Sequence, residues 1–453
     1  MNDVVAGLRA ELHDVVYEPG DDEYADATSP DNSSYPQRPC AVVRPRSAEQ
    51  VAHTVKSASR VGAVVVVQAT GHGAGRPVTD DQVLLDTSAL TDVTVNATWG
   101  TARVGSGVMW PAVQEAAKVH GLLGLSGTSP TVGVAGYTFG GGVGWFVRKY
   151  GLASSALRAV EYVDGAGQRR KASEDAADPL DREALLAFRG GAPVGIATSM
   201  EIGLFRIPDL WTGYLLWPED ALPAVIAAWR SAAGSVSNSV SSAISLLKLP
   251  PEGPFPDQLL GTPVVHLSYA SPDGGAHLEV MRDAVRGTAA PVVDTTGPGD
   301  LQSLSAIHLD PPSAVPARGT GRWLGDVEAD VVAAMFEAAR IGRPDGLNMI
   351  ELRHTACADV GPAGALTSVP APFLLHAVGA AVDDDARSRV DAVLDQVENA
   401  GLAADIGRAA PSFREGQPDV ADAWESSEQV RLRSIRAALD PERVFKFQRH
   451  PAF

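Results

Sequence analysis

Between Ser47 and Val61 the apolar residues Val51, Val55 and Ala58 recur every three or four positions, the spacing that lines one face of a helix. Ser47, soon after Pro45, is a residue type that caps a helix start. The all-valine run Val64–Val67 then predicts a short buried strand, ending at Gly71-His72-Gly73. Further strands are expected at Val83–Asp86, Thr101–Val104 and Arg158–Val163, with an amphipathic helix at Trp110–Val119. From Gly121 to Gly151 glycine is so dense that hardly any regular element is expected.

Beyond Leu210 the pattern changes. Strand-like segments at Trp211–Trp217, Ser242–Leu249, Val264–Tyr269, Asn348–Thr355 and Phe373–Ala381 alternate with helical ones near Leu222–Ala233, Ala276–Gly287, Val327–Ile341 and Ala386–Ala400. This predicts an antiparallel sheet with helices covering one face. Pro250–Pro256 reads as a loop and Asp310–Gly321 as a mobile connection beside a pocket. A last helix, Glu425–Leu439, stops before Asp440-Pro441.

At 453 residues the chain is too long for one compact core, so two domains are expected. The net charge of −18 argues against nucleic acid, whose binding draws on Lys and Arg. Cys40 and Cys357 are far apart and in no metal-type spacing; they read as two buried thiols, with no metal site expected. The first residues lack a basic stretch followed by an apolar one, and no apolar run approaches the ~20 residues of a membrane span. A cytoplasmic protein without a membrane partner is the expectation. Oligomeric state is not legible.

Two segments carry chemistry. In Thr131–Trp145, glycines at 133, 136, 140, 141, 142 and 144 let backbone approach a ligand closely and turn N–H groups toward a pyrophosphate. The spacing is neither that of a P-loop nor that of a Rossmann turn, and a plain structural loop is the competing reading. In Gln68–Gly75, His72 follows a strand directly, where a neutral imidazole is a nucleophile near pH 7; an ordinary surface histidine is the alternative.

In order along the chain, the strand, the G-H-G loop, D-T-S-x-L (Asp86 to Leu90), G-x-G-x-x-W (Gly105 to Trp110) and G-x-x-G-x-x-x-G-G-G resemble the FAD domain of the p-cresol-methylhydroxylase, or vanillyl-alcohol-oxidase, superfamily, in its berberine-bridge-like branch. Arg189–Thr198 looks like that family's R-G-G-G-x-x-G-I/V-V-T segment, and Asp440–Phe445 is similar to its D-P-x-x-x-F terminus. The resemblance is close over about 39–205 and 410–448 and rests on element order between them.

The resemblance implies an α+β fold. A PCMH-type FAD-binding domain of two α/β subdomains would span 1–209, and a substrate domain, an antiparallel sheet covered by helices, 210–409, with 410–453 returning to the first. It implies FAD, attached covalently through His72, with contacts from Ala69, Thr70, Gly71, Gly73, Thr128, Ser129, Val132, Gly133, Gly136, Tyr137 and Gly140. Gly141, Gly142, Gly144, Trp145, Gly195, Ile196 and Phe445 complete the implied cofactor set. Ser129 stands where some relatives carry a second attaching cysteine, which implies a single bond; Val132 holds the place tied to oxygen access, which implies an oxidase. There are two departures: Gln68-Ala69-Thr70 replaces R-G-G before the G-H, and Ala410–Phe413 replaces Y-x-N-F.

The implied reaction moves hydride to flavin N5 from a C–H beside an alcohol or amine of a small organic substrate: a sugar, a phenolic alcohol or a secondary metabolite. A base takes the accompanying proton, and O2 reoxidises the flavin to give H2O2. Glu351 and Arg353, which share one face of Met349–His354, are the candidate catalytic pair, with a structural salt bridge as the plainer reading. His354 on the opposite face, His376 and Trp323 are secondary candidates. A dehydrogenase or reductase of the same fold, or a non-catalytic flavin-binding protein, stays open; peroxide production separates them.

Overall fold

In a computed structural model, which describes residues 2–288, 290–311 and 313–448, the valine run forms the strand Val64–Gln68 inside a five-stranded sheet. It pairs in parallel with Gln82–Asp86 on one side and with the C-terminal strand Phe445–Phe447 on the other. Helix Ala48–Val61 begins where the pattern places it, with the Ser47 side chain accepting from the Gln50 N–H, and buries Val51, Val55 and Ala58 against this sheet.

A second five-stranded sheet is antiparallel, in the order Val93–Asn96, Thr101–Gly105, Ile196–Gly203, Leu157–Val163, Arg169–Ser173. Its central strand, Ile196–Gly203, carries no clear alternation because both faces are buried. The glycine-dense stretch also departs from expectation. It contains the helices Val134–Phe139 and Val147–Tyr150, the first held by burying Val134 and Phe139 in the core of this half. Packing of those side chains outweighs the poor helix propensity around them.

All five strands expected beyond Leu210 lie in one nine-stranded sheet, antiparallel throughout. Four helices, Leu222–Ala233, Ala276–Arg286, Ala329–Ala338 and Asp384–Gly401, pack on one face around Trp229, Phe336 and Val397. The expected mobile connection, Asp310–Gly321, is corrected in its second half: Ala317–Leu324 is a strand paired over eight residues with Phe373–Ala380. Its glycines disguised it. A Cβ at Gly319 would run into Glu415, and one at Gly321 into Phe413, so both glycines admit the segment 411–416 across the strand. Among the described residues, no helix is long and apolar enough to cross a membrane.

Candidate active site

The uncovered face of the large sheet and the two smaller sheets' loops enclose a cavity of about 570 Å³, within the size range of small-molecule and cofactor sites. One wall is the loop from Gln68 to Ala74 with Gly127–Gly133, Gly136, Tyr137 and Gly140; the opposite wall is Leu247, Met349, Arg353, His376 and Val378 from the sheet. The two segments singled out by sequence, 60 residues apart from His72 to Val132, thus face one space.

His72 is held on both ring nitrogens. Nδ1 lies 2.8 Å from Asp31 Oδ2 and 3.1 Å from Thr70 Oγ1, while Nε2 lies 3.2 Å from Thr131 Oγ1, itself 3.2 Å from Ser129 Oγ. Donation of Nδ1–H to the Asp31 carboxylate selects the tautomer that leaves the Nε2 lone pair toward Thr131. The loop can make this turn because Gly71 has φ 80° and a Cβ there would strike Pro30.

Ala69, Thr70, Gly71, His72, Gly73, Thr128, Ser129, Val132, Gly133, Gly136, Tyr137 and Gly140 all line the cavity. A Cβ on Gly136 would meet nothing within 4 Å, so at this wall the missing side chain leaves open space for a flat ligand rather than for protein. That opening and the paired His72 loop fit FAD. Gly141, Gly142, Gly144, Trp145, Gly195, Ile196 and Phe445, expected at the cofactor, are not among the lining residues. Gly141, Gly142, Gly144 and Gly195 are instead close-approach positions against Leu366, Tyr137, Ser126 and Tyr162. Ile196 and Phe445 share a core cluster, and Trp145 is buried with its ring edge toward His308.

On the cavity face of the sheet lies a buried charge cluster that sequence reading half found. Glu351, 0% exposed, does not line the cavity: Oε1 accepts from Arg353 Nε at 2.6 Å, and Oε2 from His308 Nε2 at 2.8 Å and more weakly from Ser245 Oγ at 3.4 Å. His308 Nδ1 is 2.9 Å from Asp310 Oδ1. Burial alone would lower the His308 pKa, but the charges of Asp310 and Glu351 outweigh it and raise it to about 10, so the ring is an imidazolium between two carboxylates. For Glu351 burial works upward and is overcome by Arg353 and His308, leaving it well below the usual range; Asp310 is lowered by the same imidazolium. Arg353 Nη2, 3.2 Å from His308 Nε2, therefore meets a second donor, and Glu351 holds the two cations together. The Arg353 guanidinium lies over the rings of Trp145 and Phe413 at 5.6 and 5.1 Å.

His376, on the same face as Glu351, pairs with Glu415 at 3.3 Å. His354 points to the helix side and stacks on Phe373; burial, then Arg148 and Arg230, lowers its pKa to about 3. Trp323 is core. Asp31, His308, Asp310 and Glu415 were missed. Each lies in a stretch without periodicity, and only the fold brings Asp31 to His72 or His308 to Glu351.

The cavity thus lies between the loops of the two smaller sheets and the uncovered face of the large sheet with its paired charges, and is of a size for a cofactor. Residues 39–173 match the FAD binding domain family. By sequence the chain is similar to (R)-6-hydroxynicotine oxidase of Paenarthrobacter nicotinovorans, 33% identical over 185 residues, 40% of this chain and 39% of that one. It is also similar to berberine bridge enzyme-like 23 of Arabidopsis thaliana, 27% identical over 183 residues, covering 38% and 33%. These matches span about two-fifths or less of the relatives' length. By fold it is similar to Physcomitrella patens BBE-like 1, with TM-score 0.82, 20% identity and 98% of each chain covered. Phl p 4, a grass pollen allergen with glucose dehydrogenase activity, superposes with TM-score 0.82 at 16% identity over 100% of both chains. The resemblance read from the motifs is borne out: residues 39–173 match an FAD binding domain, and the chain is similar to berberine-bridge-like FAD-linked proteins over part of its length by sequence and shares their fold over nearly all of it.

Proposed function

We propose that the protein is an FAD-linked oxidase that removes hydride from a C–H beside an alcohol or amine of a small organic substrate. The observation that carries this reading is the single cavity whose walls are the His72 and glycine segments on one side and the sheet's charged cluster on the other. Bound FAD would supply the hydride acceptor and its reoxidation by O2.

The chain's own part is positional and electrostatic. Asp31 and Thr131 fix the His72 ring, the residue that would hold the cofactor covalently, and Ser129 in place of a thiol supports one bond only. Gly136 keeps the wall open, and Val132 lines it at the place associated with oxygen access. Apolar Leu247, Met349, Val378 and Phe413 limit water around the substrate, while the ion cluster offers fixed charges that need not reorganise during reaction. The partners in this reading are a small molecule and O2, without nucleic acid or membrane, in the cytoplasm.

A dehydrogenase is the second reading. A Phl p 4 variant is a glucose dehydrogenase, and a further isoleucine-to-valine change accompanies a glucose oxidase, so a small apolar difference accompanies the change of electron acceptor there. Valine at 132 supports the oxidase. The test is acid precipitation of purified protein, followed by a peroxide assay with glucose, benzyl alcohol and 6-hydroxynicotine. Yellow pellet in wild type, lost in His72→Ala, and peroxide with a probe are the expected results. Colour in the supernatant ends the covalent reading; substrate oxidation without peroxide favours the dehydrogenase.

A further inference from the structure

We propose that Asp310 is the catalytic base of this site, taking the proton of the substrate O–H or N–H, and that His308 is its positioning residue. The inference rests on the oxidoreductase reading above and deepens it.

Asp310 lines the cavity, whereas Glu351 does not. Both Glu351 oxygens are taken, by Arg353 Nε and by His308 Nε2, and no face of it reaches a ligand. Asp310 is arranged differently. Its Oδ1 is fixed by His308 Nδ1 at 2.9 Å, and its Oδ2 is buried with no hydrogen-bond partner of good geometry. A buried carboxylate oxygen left without a donor is costly, and it is the arrangement a substrate hydroxyl or amine would complete. Between the two residues Leu309 adopts φ 62°, a left-handed backbone that non-glycine residues seldom take, and both side chains meet across that turn.

The placement is equally specific. Thr128 lies alongside the Asp310 carboxylate, in the loop that carries Ser129 and Thr131, and Thr131 touches His72. Asp310 therefore stands at the cavity beside the wall assigned to the cofactor, with Thr128 next to its carboxylate. His308 cannot swing, since its other nitrogen is anchored on Glu351, which Arg353 and Ser245 hold in turn. His376 and Glu415, the other cavity-lining pair, are tied to each other.

In the step, the X–H bond of the substrate breaks, its proton bonds to Asp310 Oδ2, and its electron pair becomes the second bond of C=X. The hydride leaving the carbon, with both electrons of the C–H bond, is the cofactor's share. Before the step Asp310 and Glu351 balance His308 and Arg353; after it Asp310 is a neutral acid, and His308 keeps Glu351 as its counter-ion.

The experiment uses the holoenzyme with Asp310→Ala, Asp310→Asn and His308→Gln, each checked for flavin content and melting temperature. With a probe that wild type oxidises, anaerobic bleaching of the flavin is expected to slow about 100-fold or more in Asp310→Ala, and added formate is expected to restore part of the rate. Slowing below about 10-fold, or a loss that formate does not relieve, overturns Asp310 as base. His308→Gln is expected to move the acid limb of the rate to higher pH. It removes the cation facing Asp310, while Glu351, Arg353, Thr128 and His266 remain around it; an unmoved limb removes the positioning role. If wild type bleaches with none of glucose, benzyl alcohol and 6-hydroxynicotine, the oxidoreductase reading fails and the base with it. A readout without turnover is 4-nitrophenol added to the holoenzyme. A carboxylate facing its O–H raises its apparent pKa in wild type and not in Asp310→Asn, and identical titrations in the two proteins overturn the proposal.

Discussion

Two cross-strand rows run side by side through the large sheet. Leu215, Leu267, Ile244, Leu352 and Leu375 stand opposite one another under the helices; in the next row, on the cavity side, stand Leu216, His266, Ser245, Glu351 and His376. Both rows are buried. The first stabilises by removing apolar surface from water, at roughly 25 cal/mol per Å². The second must hydrogen-bond or pair every charge to break even, and its four polar side chains raise the stakes of any one change. A fold seeking stability alone would fill both rows with leucine. In the proposed reading, the polar row is where apolar burial gives way to charges that line or support the site.

Breaking the polar row is expected to have the largest effect. Glu351→Ala strands Arg353 as a buried cation and leaves His308 with Asp310 as its one remaining carboxylate partner, and should lower unfolding free energy by about 3–5 kcal/mol in denaturant titrations. A double change, Glu351→Met with Arg353→Met, should recover much of that, because it removes the charges together; a double variant as unstable as the single one would show that the cluster is not a closed network. Across the sheet, Leu352→Ala should cost about 2–5 kcal/mol by leaving a cavity. Its flavin content should stay at the wild-type level, and a loss of flavin would show that the two faces are not separable.

What was legible follows the same division. The apolar row reads directly from alternation, which is why Trp211–Trp217 and Phe373–Ala381 were placed to within a residue. The His72 loop and the glycine segment were legible because their signal is local. His308 and Asp31 were not: the first acts on a residue 43 positions away, the second on one 41 positions downstream, and nothing near either marks the contact. The strand Ala317–Leu324 was hidden by glycines whose reason lies in another segment. Gly321→Ala tests that reason: the added Cβ runs into Phe413 and should destabilise by about 1–3 kcal/mol, against near neutrality if 411–416 simply moves aside.

The smallest expected effect separates the rows by pH. The His308 pKa is raised from 6.5 to about 10, so the stability it contributes is complete below 6.5 and is lost as pH climbs through 10. His266, lowered from 6.5 to about 4 by burial and by the charge of His308, contributes above 6.5 and loses its contribution as pH falls through 4; Glu351 and Asp310, both lowered, act in the same acid direction. Stability measured by denaturant should therefore decline from neutral toward pH 10 in wild type, and decline less in His308→Gln. The apolar row contains nothing that titrates. Leu352→Ala should give a curve parallel to wild type, displaced by a constant, whereas a change in its slope above pH 7 would mean that packing on the helix side sets how tightly the carboxylates grip the imidazolium.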